Sequence, residues 1–192
     1  MITENEISIA RYCISYAVEH GADAARVSLS KSVMDGHTLL NGELDKVTHS
    51  ADRSIYLYIF ADGRYGTFST NRLEKEELEG FILKAIEMVR MLGADECRGL
   101  PDPDRTEKNA KTGLELDLYD PGYGSASAGQ RLEKARSISI FNRTVPCEEY
   151  TLISEECECS ESIDDNYLVD SQGFEGRHIE TMYYCFAETT IQ

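Results

Sequence analysis

The chain has 192 residues, of which 41% are hydrophobic, and its 35 acidic against 19 basic residues give a formal net charge of −16. This length is sufficient for one folded domain with its own core, and the acidic balance disfavours direct binding to the phosphate backbone of nucleic acids. No apolar run approaches the roughly 18 residues of a membrane span, and the first residues lack the basic and apolar segments of a signal peptide. We therefore expect a cytoplasmic protein with neither nucleic acid nor membrane as a direct partner.

The N-terminal segment predicts a helix over about residues 4–20. Thr3 and Glu6 have the spacing of a capping box, and apolar residues recur on one helical face until Gly21. Because the apolar residues form a single stripe, this helix is expected to cover one face of a sheet.

Four extended segments follow, and they predict an antiparallel meander. Their approximate bounds are 27–32, 38–49, 54–61 and 64–69. The first two segments are separated by Asp35-Gly36, and the last two by Asp62-Gly63, a dipeptide typical of tight hairpins. Asn41-Gly42 fits either a further hairpin turn or a bulge.

The second half of the chain predicts two more helices and a long hairpin. A helix opening near Asn71 carries an apolar stripe that ends before Gly93. A third helix is expected at about 127–142, and two extended segments, about 149–170 and 174–190, flank the turn Ser171-Gln172-Gly173.

These elements predict an α+β fold. The sheet consists of the four-strand meander and the C-terminal hairpin, with two main helices on one face and the third helix in the connection. We expect one domain over 1–192, made of a helix-meander-helix core (1–94), an irregular connection (95–126), and a helix plus long hairpin (127–192).

The acidic residues are concentrated near the C-terminus, since residues 148–192 contain 12 acids and one base, Arg177. Carboxylates could hold a hard metal ion, but their spacing differs from that of an EF-hand loop, and a solvated strand edge is the favoured interpretation. The carboxylates concerned are Glu155, Glu156, Glu158, Glu161, Asp164 and Asp165.

The six cysteines are interpreted as reduced thiols, because the chain shows no secretory signal. Cys157 and Cys159 alternate with polar residues, which predicts that both point inward from a strand. A metal site built from these two thiols with Cys147, Cys185 or His178 is conceivable, although the spacing matches no zinc knuckle. His178-Ile179-Glu180 is more typical of a strand surface than of a catalytic pair.

Several segments in order resemble the N-terminal domain of the TldD/PmbA family, also called modulator of DNA gyrase. They are Gly21–Val27, Asn41–Val47, Asp62–Ser69, the helix Leu78–Leu92, Leu116–Pro121 and Leu168–Gly173, and they span nearly the whole chain. The last resembles the family's Asn-Ser-x-Gly stretch with Asp170 in place of Asn, and Leu116–Pro121 is closer to the PmbA (TldE) branch. The structural motif residues are Gly42, Gly63, Arg64, Gly66, Ser171 and Gly173.

The resemblance implies a subunit of a cytosolic metallopeptidase that processes peptides or degrades unfolded polypeptide inside a chamber. In the family, zinc is bound by a His-Glu-x-x-x-His helix of the TldD-type subunit, after the N-terminal domain. This sequence contains no such motif, so no catalytic or metal-binding residue is carried over. We expect the chain to lack the catalytic-type C-terminal domain, to be inactive alone, and to need a TldD-type partner or homo-oligomer, with zinc only in that partner.

Two hypotheses therefore remain. In the first, the chain is the non-catalytic N-terminal part of a metallopeptidase subunit and supplies chamber wall and subunit contacts. In the second, it is an acidic module that binds DNA gyrase or another basic partner through its C-terminal region.

Overall fold

The computed structural model describes residues 1–95, 97–141, 143 and 149–192 of the chain. Within them lie three α-helices and five β-strands, which confirms the α+β class. The strands form one antiparallel sheet in the order β3-β2-β1-β4-β5. In chain order the elements are α1 (Glu4–Glu19), β1 (Ala24–Leu40), β2 (Glu43–Ala61), β3 (Arg64–Thr70), α2 (Lys75–Val89), α3 (Ala128–Ile138), β4 (Leu152–Asp170) and β5 (Glu175–Ile191).

The predicted four-strand meander has three strands, because neither Asp35-Gly36 nor residues 50–53 interrupt a strand, and the chain turns instead at Asn41-Gly42. A Cβ on Gly36 would lie 3.6 Å from the Cβ of Ser160 and 3.8 Å from that of Thr48, so this residue is flanked by both neighbouring strands. Pairing on two sides outweighs the local turn preference of the dipeptide. At Asn41-Gly42, where the sequence fits either a hairpin turn or a bulge, the structure has a hairpin turn.

The two hairpin turns of the meander have the same backbone form. Asn41 and Gly42 have φ of 54° and 81°, and Asp62 and Gly63 have φ of 53° and 67°. Positive φ at both central residues defines the type I′ turn, whose twist matches that of the flanking strands. The dipeptides seen in the sequence therefore mark the end of β1, both ends of β2 and the start of β3.

The chain forms two compact units that share the long strands. Unit 1 comprises residues 1–31, 52–117 and 164–179, and unit 2 comprises residues 32–51, 118–163 and 180–192. The helices α1 and α2 belong to unit 1, and α3 belongs to unit 2. None of the helices in the described residues is both long and apolar enough to cross a bilayer.

Unit 1 has the larger apolar core. The predicted capping box is present at the start of α1, where the side chain of Thr3 accepts from the backbone N–H of Glu6 and the side chain of Glu6 accepts from Thr3. The helices α1 and α2 pack against each other and against alternate strand residues, as predicted for two helices on one sheet face. The buried strand residues include Ala25, Val27, Leu29, Ile55, Leu57 and Ile59.

Unit 2 has a smaller core beneath α3. A second capping box, formed by Ser127 and Gln130, starts this helix. The buried cluster consists of Leu39, Ala135, Cys157 and Cys159, with Leu132 and Ile138 packed against it. The inward orientation predicted for the two cysteines is confirmed. The predicted helix end at residue 142 lies outside the described residues, and α3 ends at Ile138.

Candidate functional site

Five of the six motif residues lie in unit 1, at the sheet end formed by the start of β1, the β2–β3 turn and the β4–β5 turn. We call this the turn end. The backbone N–H of Asp23 donates to the carbonyl of Phe60 at 2.8 Å, and the carboxylate of Asp23 accepts from the N–H of Asp62 at 2.7 Å. On the other side of β1, the N–H of Ser171 donates to the carbonyl of Ala25 at 2.9 Å. The start of β1 thus ties both turns together.

The carboxylate of Asp170 organises the β4–β5 turn. Its Oδ1 accepts from the backbone N–H groups of Gln172 at 3.0 Å and Phe174 at 3.1 Å. Its Oδ2 accepts from Nη2 of Arg26 at 3.2 Å, so the buried negative charge is paired. The Nε of Arg26 is buried without a hydrogen-bond partner in the described structure. The Asp170 carboxylate therefore both closes the turn and forms an ion pair with Arg26.

Ser171 and Gly173 complete the same turn. The Oγ of Ser171 accepts from the N–H of Ala25 at 3.1 Å, in addition to the backbone bond in the opposite direction. Gly173 has φ of 93°, a conformation that an L side chain strains. Both residues therefore shape the backbone of this turn.

Gly63, Arg64 and Gly66 connect the β2–β3 hairpin to the C-terminal end of α2. The guanidinium of Arg64 donates to the carbonyl of Leu92 at 2.9 Å and to that of Asp62 at 2.8 Å. A Cβ on Gly66 would lie 2.8 Å from Cγ2 of Val89, so only glycine allows β3 to pack this closely on α2. The family segment around these residues is therefore a docking surface for the helix.

Gly42, the sixth motif residue, belongs to unit 2 and lies in the β1–β2 turn. Its neighbour Asn41 donates through its N–H to the carbonyl of Glu155 at 2.8 Å, and its Oδ1 accepts from the N–H of Glu155 at 2.9 Å. This turn is therefore fastened to β4, as the β4–β5 turn is fastened to β1.

The acidic residues of β4 divide into two sets, and the predicted solvated edge is wrong for one of them. Glu155, Glu161 and Asp165 are 1%, 5% and 1% exposed. Glu161 pairs with Arg131 at 2.5 Å, and Asp165 pairs with Arg177. Glu156 is exposed, as predicted. Strand alternation, which identifies the inward cysteines, also marks the odd-numbered acids as inward, but their arginine partners are distant in sequence.

Glu155 in unit 2 is held by hydrogen bonds in place of a cation. Its carboxylate accepts from Oγ of Ser139 at 2.5 Å and from the N–H groups of Ile140 at 2.9 Å and Phe141 at 3.1 Å. Burial opposes its ionisation, but these hydrogen bonds outweigh burial and lower its pKa. The charge is therefore used to end α3 and to attach the following segment to β4.

No group of three or more metal-ligating side chains occurs within the described ranges. Of the thiols considered for a metal site, Cys159 and Cys185 adjoin each other, with 2.6 Å between their sulfur atoms. Cys147 lies outside the described residues. His178 is in unit 1, where it forms an isolated parallel bridge with Gly113.

Two surfaces of the strands are open. The side chains of Tyr56, Tyr58 and Phe60 alternate with the buried core residues of β2, so they lie on the sheet face opposite the helices of unit 1. The ring of Phe60 contacts that of Tyr65 on β3, with 4.9 Å between their centroids. This surface, which we call the tyrosine face, combines aromatic rings with hydroxyl groups.

The second open surface belongs to unit 2. All residues from 182 to 191 of β5 are exposed, and we call this segment the exposed strand end. β5 is an edge strand of the described sheet. The large apolar side chains here are Met182, Tyr183, Tyr184, Phe186 and Ile191, each between 39% and 57% exposed.

Comparison with known families and curated proteins gives consistent matches. Residues 25–89 match the model of the PmbA/TldA metallopeptidase domain 1. A metalloprotease PmbA from Escherichia coli O157:H7 is 24% identical over 121 residues, which are 62% of this chain and 26% of that protein.

Solved structures show the same fold. A proposed modulator of DNA gyrase from Bacteroides thetaiotaomicron is 33% identical, with a TM-score of 0.89 over 100% of this chain and 42% of that chain. TldE from Thermococcus kodakarensis is 15% identical, with a TM-score of 0.68 over 94% of this chain and 39% of that chain. The chain therefore spans less than half the length of these relatives.

Proposed function

Because this chain belongs to the TldD/PmbA family, whose N-terminal domain it carries, we propose that it is the non-catalytic portion of a cytosolic metallopeptidase subunit. In this role it contributes wall to a chamber in which peptides are processed, and it contacts a second subunit. The partner is a TldD-type subunit or a further copy of the chain. Zinc is held by the TldD-type subunit, whose His-Glu-x-x-x-His motif has no counterpart in residues 1–192.

The observation that carries this proposal is the exposed strand end. Ten consecutive strand residues with exposed side chains, five of them large and apolar, form a surface that folded proteins rarely leave uncovered. The backbone of an edge strand can accept a further strand, and Tyr184 and Phe186 stack with 6.3 Å between their centroids. Such a surface favours a protein partner over a small ligand.

The tyrosine face supports the wall role. Aromatic rings and hydroxyl groups contact unfolded polypeptide through apolar and hydrogen-bonding groups without selecting one sequence. A chamber that accepts many peptides needs this kind of lining. The strands that carry this surface are anchored on their other face by the core of unit 1.

The burial of three β4 carboxylates argues against the hypothesis of an acidic module. Glu155, Glu161 and Asp165 are buried; Glu155 is hydrogen-bonded and the other two are paired with arginines, so they present no charge to a basic partner. Glu156 is exposed, but fewer exposed acidic residues surround it than the sequence predicts. We therefore propose that the chain contacts a second subunit and does not act as an acidic module for a basic partner.

The test is co-expression of the gene product that contains residues 1–192 with a TldD-type subunit. We expect the two to co-purify, and the pair to cleave peptides in a reaction that a metal chelator abolishes, while this chain alone is inactive. The substitutions Tyr184→Glu and Phe186→Glu together should abolish co-purification, because they place charge on the contact surface.

The matched control is Met91→Glu, which changes an apolar residue that is 83% exposed in unit 1. It should leave co-purification unchanged. If the unsubstituted proteins neither associate nor give chelator-sensitive cleavage, the proposal is wrong. Salt-sensitive binding to DNA gyrase that is lost on Glu156→Gln would instead support the acidic module.

A further inference from the structure

Cys159 of β4 and Cys185 of β5 are directly opposite each other in unit 2. The β4–β5 turn is closed by the bond from the N–H of Asp170 to the carbonyl of Phe174, and both cysteines are eleven residues from that pair. Opposed residues of antiparallel strands have Cα atoms about 4.5–5.5 Å apart, a separation that a disulfide can span. The two sulfur atoms are 2.6 Å apart and both thiols are free, so the pair is in contact without being bonded.

The environments of the two thiols differ. Cys159 is 6% exposed and belongs to the small core beneath α3, whereas Cys185 is exposed. Burial, together with the neighbouring Cys185 thiol, raises the pKa of Cys159 to about 12, so this thiol is protonated at neutral pH. An oxidant in solution therefore reaches Cys185 first, and Cys159 lies within reach as the second thiol.

We propose that Cys159 and Cys185 are a reversible redox site, which forms an intramolecular disulfide between β4 and β5 when a peroxide or a small disulfide oxidises Cys185. This site is independent of the proposed peptidase role, because it rests only on the geometry of the two strands. It would make the exposed strand end responsive to oxidants.

The chemistry balances with hydrogen peroxide as the oxidant. The Cys185 thiol attacks one peroxide oxygen, the O–O bond breaks, and the products are a sulfenic acid at Cys185 and water. The Cys159 sulfur then attacks the Cys185 sulfur, the S–O bond breaks, and the proton of Cys159 leaves with hydroxide as a second water. Two thiols and one peroxide thus give one disulfide and two waters, and a dithiol reductant reverses the step.

The disulfide would change the edge strand. The N–H groups of Arg177, Ile179 and Thr181 in β5 bond to carbonyls of residues 110–118, so the open edge of β5 begins after Thr181. Fraying of residues 182–191 therefore breaks only the ladder to β4. A covalent bond at Cys185, near the middle of the exposed strand end, would prevent this opening. Because the closed loop from Cys159 to Cys185 is already an ordered hairpin, the bond forms with little rearrangement.

The test is to treat the reduced chain with hydrogen peroxide or oxidised glutathione and to map its disulfides by mass spectrometry under non-reducing conditions. We expect a linked peptide containing Cys159 and Cys185, a loss of two free thiols, and full reversal by dithiothreitol. The amides of residues 182–191 should exchange at least about tenfold more slowly in the oxidised form.

Two variants make the result specific. Cys185→Ser changes an exposed position and should abolish the link without altering the fold, checked by circular dichroism. Cys97→Ser removes another exposed cysteine and should leave the link intact. Oxidation of Cys185 beyond the sulfenic acid, or disulfides through Cys97 between chains, without a Cys159–Cys185 peptide would overturn the proposal.

Discussion

Arg177 and Asp165 form a two-point ion pair inside unit 1. The Nε of Arg177 donates to Oδ1 of Asp165 at 2.9 Å, and its Nη2 donates to Oδ2 at 2.7 Å. The same residues hold the N-terminus, since Arg177 also donates to the carbonyl of Ile2 and Asp165 accepts from its N–H at 2.7 Å. The single base among the 45 C-terminal residues is thus a partly buried structural group.

We predict that Arg177→Met lowers the free energy of unfolding by about 3–5 kcal/mol, because it leaves the buried Asp165 carboxylate without its cationic partner. Urea denaturation measures this loss. The control is Arg136→Met, which breaks an exposed pair with Glu133 and should cost less than about 1 kcal/mol. Equal effects of the two substitutions would contradict the structural role of Arg177.

The Glu6 carboxylate should make the free energy of unfolding depend on pH below about pH 4.5. Burial opposes its ionisation, but hydrogen bonds from Thr3 and Lys31 outweigh burial and lower its pKa from the usual value of 4.5 to about 2. The folded pKa is the lower one, so this stabilisation is present above pH 4.5 and is lost as pH falls towards 2.

We therefore predict that Glu6→Gln lowers the free energy of unfolding by about 2 kcal/mol at pH 7, and that the difference vanishes near pH 2. Urea titrations across this range measure it. Glu19→Gln, at the exposed end of the same helix, serves as the control and should change little. A constant difference between wild type and Glu6→Gln at all pH values would contradict the assigned role.

Gly66 and Gly80 should respond in opposite directions to alanine. Gly66→Ala places a Cβ against Val89 and Phe68, and we predict a loss of about 1–3 kcal/mol. Gly80 lies in α2 with no neighbouring side chain or strand within 4 Å of where a Cβ would stand, so Gly80→Ala should stabilise by about 0.5–1 kcal/mol. Thermal unfolding of both variants tests the contrast, which fails if Gly66→Ala is neutral.

Two substitutions of Asp170 separate the stability contributed by the turn hydrogen bonds from that contributed by the ion pair with Arg26. Asp170→Asn keeps an acceptor for the N–H groups of Gln172 and Phe174 and removes only the charge paired with Arg26. We predict a loss of less than about 1.5 kcal/mol for Asp170→Asn and about 2–4 kcal/mol for Asp170→Ala. Chemical denaturation gives both values, and equal losses would show that the turn-closing hydrogen bonds contribute nothing.

Local signals in the sequence predict the parts of this fold that local physics determines. The capping box of Thr3 and Glu6, the type I′ dipeptides and the inward cysteines of β4 all rest on neighbouring residues. The predicted start of α2 near Asn71 is too early, because the N-cap residue Glu74 makes no side-chain cap bond and gives no recognisable signal.

Long-range pairing decides the remainder. Asp35-Gly36 does not form a turn because β1 pairs with a strand on each side, and the sequence does not show which strands those are. The buried acids of β4 look like surface residues until their partners Arg131 and Arg177 are known. The motif residues are identified by resemblance, and the convergence of five of them at the turn end follows from the order of strands.

The most direct test of the proposed subunit contact is hydrogen exchange of this gene product with and without a TldD-type subunit. We predict that the amides of residues 182–191 become protected in the complex, while residues 75–89 of α2 exchange as before. Unchanged exchange at residues 182–191 in a complex that does form would contradict it.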